Sequence, residues 1–397
     1  MVFSVRNTYN NHFDDKKYQD FQKDICSVHN HIPSFRIAET PIFIGNELKG
    51  KLLNACEEIY ETICQPDFKE LSQGAVLPQN EVPNEDDHTL FLQMDFGICK
   101  DEQGDLVPQL IEVQGFPSLY FFQDLLANSY KKRFNIPDNY SHLFHGLSSE
   151  DYIDLLRKNI VGDSNPENVI LLEVEPEKQV TKIDFLEASR VLGIPIKCVS
   201  DLKKEGREVY YFNEKGQKIK VEKIFNRVIF DELANYSKLE REFFFTEEAN
   251  VEWIGHPNWF FRISKHTLPL LQSQYVPDTQ FLNEVKEIPN DLENYVLKPL
   301  YSFAGTGVIV NLNRYDIESI SDPENYILQR KVEYARVIDT PSEAAKCEVR
   351  MLMIWEKGTP RPKIINNLAR ITKGEMVGVK YNKNKDWVGA SVAFFEN

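Results

Sequence analysis

The chain has 397 residues, of which 42% are apolar, 27% charged and 12% aromatic, with 26 Phe and 17 Tyr; this is material for two or three packed domains and excludes a mini-protein or a globally disordered chain. Lys plus Arg number 46 against 61 Asp plus Glu, a net charge of −15, so the summed field repels phosphate backbones and anionic membranes, and nucleic acid is a poor partner. The six cysteines (Cys26, Cys56, Cys64, Cys99, Cys198, Cys347) form no C-x-x-C pair and read as reduced thiols of a cytoplasmic protein, while none of the eight histidines pairs with a second ligand at zinc spacing.

Met1 to Asn11 lacks the basic cap and apolar run of a secretory leader, and no stretch approaches a membrane span. Apolar residues from Pro41 to Cys64 shift to helical spacing after Asn46, and Asp86 to Val113 predicts strand, turn and strand around the tip Lys100 to Asp105. Helical patterning covers Ser118 to Lys131 and Asp151 to Asn159, and the polar break Gly162 to Pro166 sets a first domain boundary after residue 162. The buried run Asn168–Val174, an amphipathic helix from Thr181 to Leu192 and the strand Ile194–Val199 form a βαβ unit, which requires a parallel sheet. A hairpin follows at 207–212 and 217–221, then the strand Ile224–Ile229, a helix over Phe230 to Glu240 and an aromatic connector with Trp253, Trp259, Phe260 and Phe261, read chiefly as interdomain packing. This predicts an α/β (α+β) chain with segments 1–162, 163–250 and 251–397.

In the third segment, Lys298 closes a strand, Ser302, Ala304, Gly305, Thr306 and Gly307 make a small-residue loop, and a second strand is expected from Val308. Glycines let backbone N–H groups approach phosphate oxygens and a lysine supplies charge, so the loop fits a phosphate lid, although a hairpin with a glycine turn has the same pattern. It is not a P-loop, because the G-K-[ST] order is absent. Around it stand Ser264-Lys265 before Leu268-Pro-Leu-Leu271, then Tyr326-Ile-Leu-Gln329-Arg-Lys331-Val332, Glu348-Val-Arg350, and Asn367 with Arg370. In the first segment Glu112 and Gln114 lie two apart on one strand and so face one side, and Asp95 on the paired strand can join them. Oxygen donors suit Mg2+, which needs few protein ligands beside nucleotide phosphates; ordinary polar alternation would also produce the set.

This order resembles the glutathionylspermidine synthetase-like branch of the ATP-grasp family, whose motifs run S-N-K with L-P-L-L, K-P-L-x-G-R-E-G-x-x-V and Y-x-x-Q, with R-x-D and E-x-N-x-D-T-P-T upstream of the lysines because the branch is circularly permuted. The resemblance touches residues from about 90 to 380 through short motifs. It implies a circularly permuted ATP-grasp fold, in which 1–162 carries the metal hairpin, 163–250 a pre-ATP-grasp-like domain, and 251–397 the lid and remaining core. It further implies ATP and Mg2+: Lys265 and Lys298 on phosphates, residues 302–307 as the lid, Gln329, Lys331 and Val332 at the adenine, Asp95, Glu112 and Gln114 on the metal, and Arg370 on the transferring phosphoryl group.

Three positions depart from the family. Its Arg before the metal Asp is Gln93, its metal Asn is Gln114, and its lid acid falls at Ala304. Losing a guanidinium and a carboxylate removes charge that stabilises phosphoryl transfer, for which Glu348, Arg350 and Asn367 are candidate replacements. Lys265, Lys298 and Arg370 also have plain structural readings, as solvated lysines and a partner for one of many carboxylates, and Glu348 and Arg350 can pair with each other. The expected activity is ATP-dependent joining of an amino acid or peptide carboxylate, a small molecule, to an amine through an acyl phosphate. The alternatives are a nucleotide-binding protein without turnover and a small-molecule kinase.

Overall fold

The structure, a computed structural model, describes residues 1–302, 305–374 and 382–397. Its centre is a five-stranded antiparallel sheet in the order Gly389–Ser391, Lys363–Thr372, Lys346–Ile354, Phe91–Lys100, Leu106–Gln114. The predicted hairpin therefore finds its partners near the other end of the chain, with Arg350 opposite Asp95 and Glu348 opposite Arg370. Alternation explains the two faces of this sheet. Leu92, Met94, Phe96 and Ile98, with Cys347, Val349, Met351 and Met353, point into a core shared with the helix Asn46–Ile63 through Leu48, Leu52, Ala55 and Ile59. On the opposite face Phe91, Leu352 and Ile354 enter a second core, whereas Gln93, Asp95, Glu348 and Arg350 continue the face as a polar floor.

The second core joins the floor sheet to the βαβ unit. Val169–Glu173, Ile196–Cys198 and Lys223–Asn226 form a parallel sheet that takes its fourth strand from Glu252–Ile254. The helices Tyr120–Arg133, Ser149–Ile160 and Lys182–Leu192 fill the space between, through Tyr120, Tyr152, Leu156, Phe185 and Leu192. The hairpin Glu208–Phe212 with Lys218–Lys220 forms as expected, but the predicted helix after Phe230 stops at Leu233 and gives way to a single 3-10 turn. Residues before Pro41, unassigned from sequence, fold into the helices Phe3–Asn11 and Asp15–His29.

A third sheet, Thr279–Phe281, Tyr326–Arg330 and Tyr295–Pro299, stands over the floor. The strand expected from Val308 is absent: among the described residues only the bridge between Leu297 and Ile309 continues that pairing. Gly307 (φ +74°) leaves the chain left-handed there, so the backbone turns away from the ladder after one contact. No helix among the described residues is long and apolar enough to cross a membrane.

Candidate active site

A cleft of about 1520 Å³ opens between the floor, the third sheet and the βαβ unit, and Lys265, Lys298, Glu112, Glu348, Arg350 and Arg370 all line it. Lys298 reaches it from the third sheet. A bulge in the hairpin makes Ile111 an extra residue between Leu110 and Glu112, and its carbonyl accepts from Lys298 Nζ at 3.1 Å. Gln329 Oε1, on the adjacent strand, accepts a second bond at 2.5 Å while its Nε2 donates to Thr279 at 3.0 Å. Burial is the main cause that lowers the Lys298 ammonium to about 8; nearby Glu112 opposes the shift and Lys265 adds to it. Burial lowers Lys265 as well, against the pull of Glu112 and Asp231, and its Nζ donates to Ser302 O at 2.5 Å and Oγ at 2.8 Å. Ser264 caps the 3-10 turn that presents Lys265, accepting from His266 N at 3.2 Å.

The floor carries a four-membered ion network. Asp95, with 2% exposure, takes Arg350 in a two-toothed pair, one arm at 2.7 Å and the other shorter, and Arg370 Nη2 at 2.6 Å. Arg350 Nη1 also donates to Gln93 Oε1 at 3.0 Å. Arg370 Nη2 lies 3.3 Å from Glu348. Burial would raise the Asp95 carboxyl, but the two guanidiniums hold it below the usual range; burial raises Glu348, since Asp95 and Glu112 add negative charge that its arginines only partly oppose.

These contacts revise several expectations. Both Asp95 oxygens are taken by arginines, and among the described residues no three His, Cys, Asp or Glu side chains gather as a metal cluster. Glu112 and Gln114 line the cleft and make no side-chain hydrogen bond among the described residues. Oxygen donors of this kind suit Mg2+, and of the predicted set Glu112 and Gln114 keep theirs uncommitted while Asp95 is held by the arginines. Gln329 spends its amide on Lys298 and Thr279, so its side chain is not turned to an adenine. Lys331 sends Nζ to the Glu293 carbonyl and its backbone N–H to Asn294 O, while Val332 lines the cleft. Ser302 and Gly305 line the cleft, Thr306 and Gly307 are exposed, and Ala304 lies outside the described residues.

Of the candidate replacements, Arg350 brings a guanidinium between Gln93 and Asp95 from the neighbouring strand. Glu348 pairs with Arg370, not with Arg350. Asn367 faces the other way and staples the sheet to the chain end, donating to His142 O at 2.9 Å and Ala393 O at 3.0 Å. Trp253 and Trp259 belong to cores, whereas Phe260 lines the cleft with its ring centroid 5.0 Å from that of Phe116. Sequence reading missed Tyr334, which lines the cleft beside Gly97; a Cβ on Gly97 would stand 3.0 Å from that ring. A lone glycine in a bulky strand was the available signal for such a close approach. Arg227, Glu173 and Asp231, also in the cleft, were missed because none stands in a recognisable motif.

No family model matches the chain, and no curated protein matches it. Among solved structures, a glutathione synthetase-like effector from Globodera pallida in its apo form aligns over 96% of each chain, with a TM-score of 0.56 at 10% identity. A candidate gamma-glutamylcysteine synthetase from Methylobacillus flagellatus aligns over 84% of this chain and 85% of its own at 12% identity, with a TM-score of 0.35 that carries no argument. The mixed α/β architecture is therefore a glutathione synthetase-like fold.

Proposed function

We propose that the chain is an ATP-dependent carboxylate–amine ligase of the circularly permuted, glutathionylspermidine synthetase-like ATP-grasp type. The observation that carries this reading is the convergence of Lys265, Lys298, Arg350 and Arg370 on one cleft whose lining carries more Lys and Arg side chains than Asp and Glu. An excess of cations along the cleft suits a polyphosphate, and it offsets locally the net negative charge of the chain. Lys298 and Lys265 bind phosphate oxygens, and Ser302 and Gly305 line the same cleft beside them. Arg370, held at Asp95, is aimed to stabilise negative charge that develops on a transferring phosphoryl group. Glu112 and Gln114 would hold Mg2+, which supplies charge neutralisation across phosphates. The substrate carboxylate attacks the γ-phosphorus, ADP leaves, and an amine displaces phosphate from the acyl phosphate to give the amide.

The clamp on Asp95 favours a second reading, nucleotide binding without turnover. Equilibrium binding of ADP and a non-hydrolysable ATP analogue, with and without Mg2+, to wild type and Lys298→Ala tests the site. ADP release with pools of carboxylates and amines then separates ligase from binder. A folded wild type that binds neither nucleotide would refute both readings.

A further inference from the structure

Where the third sheet meets the floor, a phenol hydroxyl stands without a partner. The segment after Tyr326–Arg330 crosses from one wall of the cleft to the other: Lys331 N donates to Asn294 O at 2.7 Å beside the third sheet, and Ala335 N donates to Ile98 O at 2.8 Å on the floor. Tyr334 is thereby carried over Gly97. A Cβ on that glycine would lie 3.0 Å from Tyr334 Cε1 and 3.2 Å from Cζ, the atom that bears the hydroxyl, so the approach needs a residue without a side chain. In the floor register Gly97 stands opposite Glu348 and Glu348 opposite Arg370, while Asp95 lies two residues from Gly97 on the same face. Burial, and after it Glu348, pushes the phenol well above its ordinary value, so it stays neutral and able to donate.

The groups around this hydroxyl are unevenly spent. Asp95 is held by two guanidiniums, and Arg350 divides its donors between Asp95 and Gln93. Arg370 donates through Nη2 alone, its buried Nε has no partner, and Tyr334 Oη makes no hydrogen bond among the described residues. Both side chains line the cleft. Donors left unused side by side at a cleft wall call for an acceptor that arrives with a ligand, and an oxyanion is the strongest acceptor such a hydroxyl can meet. We infer that the Tyr334 hydroxyl donates to an oxygen of the γ-phosphoryl group of ATP, beside Arg370, and so holds the group that is transferred. The inference rests on the ligase reading above and adds to it a residue outside the motifs. ADP lacks that group, so the contact separates the two nucleotides; a ribose hydroxyl in the same place would serve both equally.

Calorimetry on the full-length protein with Mg2+, comparing ADP with the β,γ-imido analogue of ATP, tests it. Tyr334→Phe keeps the ring over Gly97 and should weaken the analogue roughly tenfold or more while changing ADP by less than about twofold. Its urea midpoint should stay near that of wild type, because no hydrogen bond of the free protein is lost. Gly97→Ala, which displaces the ring, should weaken the analogue more than ADP as well. An unchanged analogue affinity in Tyr334→Phe, or an equal loss for analogue and ADP, overturns the inference while leaving the nucleotide site standing. A folded wild type that binds neither nucleotide instead overturns the ligase reading.

Discussion

Replacing Arg350 by methionine tests the floor network most directly. Methionine keeps the apolar stem but removes the guanidinium that pairs with Asp95 and reaches Gln93. Removing one partner of a buried ion pair costs about 3–5 kcal/mol, and because Arg370 still holds one Asp95 oxygen the low end, about 3 kcal/mol, applies. Urea unfolding at pH 7 measures it. The double variant Arg350→Met with Asp95→Leu should recover part of that loss, about 1 kcal/mol or more, since it removes the stranded carboxylate while Arg370 keeps Glu348 at 3.3 Å. The pH dependence has a defined sign. Asp95 is held below its ordinary value, so its contribution is full above the unfolded aspartate pKa of about 3.9 and is lost as pH falls through the folded value. In Arg350→Met that loss should begin at higher pH. A cost under about 1 kcal/mol for the single variant, or no rescue in the double, would refute the network as a stabilising clamp.

Lys298 is lowered to about 8 in the free protein, so analogue affinity should fall as pH rises past 8, by up to about tenfold per unit, and Lys298→Arg should flatten the profile. The unliganded protein should show the opposite trend, gaining stability from about pH 8 toward the unfolded lysine value of about 10.4, where the folded state alone has shed the proton. Glu348→Gln should remove a decline in stability as pH rises above the ordinary glutamate range, because burial raises this acid and its ionisation is costly; pH-dependent thermal unfolding checks it. Gly97→Ala should cost about 1 kcal/mol in urea unfolding and weaken analogue binding, as the new methyl presses on the Tyr334 and Val332 side chains at 3.0 Å.

What the sequence disclosed and what it hid divide along one physical line. Elements whose signal is local were legible: the 3.6-residue spacing after Asn46, the strand–helix–strand of the βαβ unit and the tip at Gly104 all form where the pattern puts them. The lysines and the arginine were legible as residue types, because a charged group beside small or apolar neighbours stands out. Their partners were not. Arg350 and Gln93 are 257 positions apart, and only the register that sets Arg350 opposite Asp95 brings a guanidinium to the place where position 93 supplies none. The bulge at Ile111 is equally invisible in a row of alternating residues, yet it frees the carbonyl that Lys298 uses. A loss read from one strand can therefore be met from the next. The departures at Gln93 and Gln114 do not by themselves argue for a dead site; an activity measurement on Arg350 variants bears on that question more directly than the motif does.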